Sequence, residues 1–135
     1  MKYNGVIQRK LAVLSDQLLH LKRELEGVSY EQFRQSWAMQ RMAERSLQVM
    51  VEVVIDIAER IIALHNAGPS SGAADAIGKL QMLGVIADAE PYLPMVKFRN
   101  FIVHRYEEVS PDILFSIATK HLDTFVRFRQ EIEQA

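Results

Sequence analysis

The stretch SYEQFRQSWAMQRMAERSLQVMVEVVIDIAERIIAL, Ser29 to Leu64, decides the fold. Phe33, Trp37, Leu47, Met50, Val51, Val54, Ile55, Ala58, Ile61 and Ile62 supply a wide apolar surface at helical spacing. Ser29-Tyr30-Glu31-Gln32 reads as a capping box, in which a serine and a side-chain amide three residues later satisfy each other's backbone N–H groups. No proline or glycine interrupts the pattern. One helix running to about Leu64 is therefore expected, long enough to need several packing neighbours or a partner chain. Its most apolar part, Val49 to Leu64, carries Glu52, Asp56, Glu59 and Arg60, which marks a core helix rather than a membrane span.

Upstream, Ile7, Leu11, Leu14, Leu18, Leu21 and Leu25 alternate steps of four and three residues. That is a narrow apolar seam, so a first helix from about Tyr3 to Glu26 is expected, with Gly27 ending it. Downstream, Asn66-Ala67-Gly68-Pro69-Ser70-Ser71-Gly72 breaks the helical pattern. A short helix from about Ala73 to Leu83 follows, closed by Gly84. Pro91 and Pro94 open another that carries Met95 to about Tyr106. Ser110-Pro111-Asp112 starts a last helix reaching nearly to the C-terminus, with Ile113, Ile117, Leu122, Phe125, Phe128 and Ile132 facing inward. No segment alternates as a strand would. The expectation is an all-α fold: one domain over residues 1–135, an antiparallel up-and-down bundle of four main helices plus one short extra helix.

The chain has 135 residues, 49% hydrophobic and 24% charged, the composition of an ordinary globular protein. It contains no cysteine, which excludes disulfides, thiolate metal sites and cysteine nucleophiles and fits a cytoplasmic setting. The opening Met1-Lys2-Tyr3-Asn4-Gly5 shows no apolar signal segment, and no membrane association is expected. A net charge of -1 does not announce a nucleic-acid binder. The basic run from Lys97 to Arg105 holds Lys97, Arg99 and Arg105 without an acid, but on charge alone it is a solvated surface.

Four histidines are candidates for chemistry. His20 and His65 fall near polar helix faces or helix ends, and His121 reads as a partly buried side chain on the last helix. None of the four belongs to a clustered ligand pattern, so no metal site is expected. His104 stands apart because Arg99, Asn100, His104 and Tyr106 fall together. On an ideal helix those four spread over an arc of roughly 160°, facing a cleft, with Phe101 and Ile102 opposite to anchor the helix in the core.

These residue types suit phosphodiester cleavage. A histidine titrates near neutral pH and can move a proton to or from a ribose 2′-hydroxyl or the leaving oxygen. A guanidinium offers forked donors to a phosphate and stabilises its developing charge. Asn100 can orient His104 or donate to the phosphate. Tyr106 can hydrogen-bond a base or phosphate, or accept a modification on its hydroxyl. Neither a metal nor another cofactor is required. On the residues alone, the ordinary reading of the cluster is a polar helix end. Glu52 and Asp56 admit two readings as well: an acid orienting Arg99 or His104 across the bundle, or a helix-face network with Arg60. Met39, Met42, Met50, Met82 and Met95 read as core filler.

Arg99-x4-His104-x-Tyr106, with Asn100 after the arginine, resembles the signature of the HepT toxins within the HEPN ribonuclease superfamily. It falls late in an all-helical chain, after a proline-rich entry and before a long final helix. The segment Ala43 to Ala58 is similar to that family's long central helix, and the similarity of pattern extends from about Gln40 to Phe128. Arg105 occupies a place where such proteins commonly have glycine. The resemblance implies a HEPN-like bundle and a metal-independent endoribonuclease, usually a homodimer in which two motifs line one cleft. It implies catalytic roles for Arg99 and His104 and a supporting role for Asn100. It also implies a partner, an MntA-like minimal nucleotidyltransferase antitoxin that transfers AMP to Tyr106 and silences the toxin. The alternative is a non-catalytic HEPN module that binds such a nucleotidyltransferase. The Leu seam and the long second helix suggest surplus apolar surface for dimerisation.

Overall fold

The computed structural model describes residue 3, residues 5–103 and residues 109–135, with the side chains of residues 102 and 103 left aside. Among the described residues, seven α-helices and one 3₁₀ turn form a bundle and no strand occurs. The first helix, α1 (Gly5–Leu25), buries the whole seam: Ile7, Leu11, Leu14, Leu18, Leu21 and Leu25. The seam is thus covered within the chain, so it offers no surplus surface to a second copy. Gly27 follows at φ 74, the left-handed region that ends helices.

The expected single helix from Ser29 to Leu64 is two helices: α2 (Tyr30–Arg34) and α3 (Trp37–Leu64). The capping box at Ser29 is present with both reciprocal hydrogen bonds. The break comes at Ser36, whose backbone is extended and whose hydroxyl accepts from the Met39 N–H at 3.1 Å. A short polar side chain offers the backbone this alternative to a continued ladder. Gln40 supports it, donating from Nε2 to the Arg34 carbonyl and to the Phe33 carbonyl, which also accepts the Ser36 N–H. Trp37 becomes the first residue of α3 and is 64% exposed instead of joining the apolar surface. The other nine apolar residues expected between Phe33 and Ile62 are buried.

At 28 residues, α3 is about 42 Å long and is the bundle's central rod, packing against α1, α2 and three later helices. His65 caps it and meets the Tyr3 hydroxyl at 3.1 Å. After the breaker segment come α4 (Ala73–Met82), a 3₁₀ turn (Glu90–Tyr92) and α5 (Leu93–Val103). Met82, at the end of α4, is 85% exposed and fills no core; Met50 and Met95 do. Tyr92 is fully buried, and its hydroxyl donates to Glu131 Oε1, while Glu131 Oε2 accepts from the Ala87 N–H at 2.8 Å.

The last expected helix is also divided, into α6 (Pro111–Lys120) and α7 (Asp123–Gln134). Ser110 caps α6 as expected, accepting from the Ile113 N–H at 3.3 Å. Near its other end the Thr119 hydroxyl donates to the Phe115 carbonyl at 2.6 Å, a back-bond that favours bending. His121 is the exposed C-cap of α6 rather than a half-buried helical residue. Leu122, Phe125, Phe128 and Ile132 point inward as expected, but Ile113 is 45% exposed. Among the described residues no helix is long and apolar enough to cross a membrane.

Candidate active site

The site is organised by the way α5 lies on α3. Met95, Val96 and Phe98 bury one side of α5 and fix its rotation. That leaves Lys97, Asn100 and Phe101 exposed. Phe101, expected to anchor the helix in the core, is 54% exposed, because the buried stripe passes through Phe98 instead.

Arg99 sits between these two sides. Its Nε lies 3.5 Å from Glu52 Oε1 of α3, and the two side chains are 36% and 43% exposed. The Nε atom itself is shielded from solvent and makes no hydrogen bond among the described residues, so the link is an ion pair. Shielding at Nε places the side chain's exposure on its other atoms. Asn100 follows on the next helical position, turned about 100° away, and faces outward. His104 and Tyr106 lie outside the described residues, so of the four motif residues the structure places Arg99 and Asn100.

Two carboxylates of α3 reach to other helices. Glu52 pairs with Arg99, and Asp56, one turn later, pairs with Lys10 of α1 at 3.5 Å. Of the two sequence readings, an acid crossing to Arg99 is the one found for Glu52. Among the described residues no three histidine or acidic side chains gather as a metal site. A hollow of about 800 Å³ between α1, α6 and α7, lined by Lys22, Lys120, Asp123 and Arg127, does not include Arg99 or Asn100. Nor does an apolar groove of about 460 Å³ lined by Met95, Phe98, Ile113 and Ile117. Arg99 lies where α5 packs on α3, outside both of these hollows. A half-exposed guanidinium held at one edge has forked donors to offer an oxyanion such as a phosphate.

Comparison with known proteins gives a consistent result. A family model described as Ribonuclease HepT-like matches residues 14–132. A tRNA nuclease HepT of Aphanizomenon flos-aquae is 30% identical over 128 residues, covering 90% of this chain and 86% of that protein. An mRNA nuclease HepT of Shewanella oneidensis is 28% identical over 127 residues, covering 93% and 94%. Among solved structures, a tri-AMPylated HEPN toxin of Shewanella oneidensis in complex with its MNT antitoxin superposes with a TM-score of 0.88 at 27% identity, covering 98% of this chain and 100% of that one. A toxin–antitoxin structure with AMP-PNP gives a TM-score of 0.87 at 25% identity with the same coverage.

Proposed function

This chain belongs to the Ribonuclease HepT-like family, and from that membership we propose that it is a metal-independent endoribonuclease, the toxin of a toxin–antitoxin pair. Arg99 and His104 are the catalytic residues. Arg99 takes the scissile phosphate with the donors that its contact to Glu52 leaves available. His104 moves the proton: from the 2′-hydroxyl as it attacks phosphorus, or to the O5′ oxygen as the P–O5′ bond breaks. Asn100, outward-facing beside Arg99, supports one of them. No step needs a metal, because the guanidinium supplies the positive charge that the transition state develops against.

A single domain of this kind works as a homodimer whose two motifs share a cleft. Its partner is an MntA-like nucleotidyltransferase that silences it by placing AMP on Tyr106. Support for the partner comes from the similar structures, which are toxin–antitoxin complexes, one with an AMPylated toxin. The observation that carries the ribonuclease reading is the likeness to two HepT nucleases over 90% and 93% of this chain, joined to a solvent-accessible Arg99 rather than one lost in the core. The test is incubation of the unmodified protein and its His104→Ala variant with total RNA in EDTA. Cleavage by the parent alone supports the reading. No cleavage by a parent shown by mass spectrometry to be free of AMP favours a module that only docks the nucleotidyltransferase.

A further inference from the structure

Glu52 has no role in the mechanism above, yet it meets the arginine that does. Its Oε1 lies 3.5 Å from Arg99 Nε, the one atom of that side chain found shielded and without a hydrogen bond. Lys10 of α1 is engaged by Asp56, one turn along α3 from Glu52. Glu52 comes from the middle of the central helix, whose flanking residues Val51, Val53, Val54 and Ile55 are all buried. Its backbone is therefore rigid, and what it touches is held relative to the core. An ion pair this exposed contributes little to stability. Its physical effect is orientational: a guanidinium on a flexible stem gains one preferred direction.

We infer that Glu52 is a positioning residue for Arg99, its carboxylate holding the Nε edge of the guanidinium so that the terminal amino groups face the RNA phosphate. The inference rests on the reading of Arg99 as the phosphate-binding residue. It has a distinctive consequence. A carboxylate beside a phosphate site repels the substrate while it aligns the arginine. Removing its charge lowers turnover without weakening RNA binding, which is the opposite of what loss of a phosphate contact does.

The test compares Glu52→Gln and Glu52→Asp with the parent. Glu52→Gln is expected to lower kcat about tenfold with KM for RNA unchanged or reduced, and Glu52→Asp, which keeps the charge on a shorter stem, to fall between. The double variant Arg99→Ala/Glu52→Gln should cleave no more slowly than Arg99→Ala, since Glu52 acts only through Arg99. Independently of RNA, the Arg99 Nε–H resonance, identified by its loss in Arg99→Ala, should exchange with water faster in Glu52→Gln than in the parent. Unchanged kcat together with unchanged exchange overturns the inference, as does a further loss of activity in the double variant. A parent protein that cleaves no RNA defeats the ribonuclease reading instead, and the exchange measurement then decides the positioning by itself.

Discussion

Gln40, in the first turn of α3, donates from Nε2 to the carbonyl oxygen of Phe33 at 3.0 Å. The same nitrogen reaches the Arg34 carbonyl at 2.9 Å. One buried amide thus replaces the backbone N–H groups that would have continued α2 into α3. Gln40→Leu keeps the volume but leaves both carbonyls without this donor, and should destabilise the protein by about 1–3 kcal/mol. Urea unfolding of the variant measures it; an unchanged midpoint would show that the break is held by Ser36 alone.

Tyr92 gives the fold a pH signature. Burial, and then its hydrogen bond to the Glu131 carboxylate, push its phenol well above the ordinary value of 10.0. The unfolded chain therefore ionises this group before the folded protein does. The stabilisation is fully present below about pH 10 and declines as pH rises from there towards the folded value, by up to about 1.4 kcal/mol per pH unit. Thermal unfolding between pH 9 and 11 should show the decline in the parent and a flatter profile in Tyr92→Phe, which has no proton to lose at this position.

Arg99 and His104 should be separable by the size of their effects. Arg99→Lys keeps the charge but loses the fork, and is expected to lower kcat about 100-fold or more. His104→Ala removes the proton carrier and should lower it by about 10²–10⁴. Because the Arg99–Glu52 pair is half-exposed, Arg99→Lys should change unfolding free energy by less than about 1 kcal/mol. A collapse in stability alongside activity would assign Arg99 to the core instead.

Tyr106→Phe should retain cleavage and lose modification. With an MntA-like nucleotidyltransferase and ATP, intact-mass spectrometry of the parent should show added AMP and the variant none, and the partner should silence only the parent. AMP appearing on the variant would place the acceptor elsewhere.

Much of the fold was legible where the signal is local. The seam from Ile7 to Leu25 alternates so regularly that every member could be assigned to the core, and the caps at Ser29 and Ser110 needed only the residues that follow them. The breaks at Ser36 and His121 were not legible, because no glycine or proline marks them. The first depends on Gln40 reaching back across the junction, a contact that spacing does not reveal. Trp37, Met82, Phe101 and Ile113 were assigned to the core by residue type, yet all four are exposed near helix ends, where an apolar face runs past its neighbour. In the site, the structure places Arg99 and Asn100 of the motif, and the choice facing Glu52 could be stated from spacing. Only the packing of α5 on α3 brings that carboxylate to Arg99.

The measurement that tests the central claim most directly is the chemistry of the cut ends, with RNA cleaved in EDTA by the parent protein. Attack by the 2′-hydroxyl, with His104 moving the proton and Arg99 holding the phosphate, predicts a 2′,3′-cyclic phosphate on one fragment and a 5′-hydroxyl on the other, both absent with His104→Ala. Fragments ending in 3′-hydroxyl and 5′-phosphate, or cleavage that stops when divalent metal is removed, would contradict it.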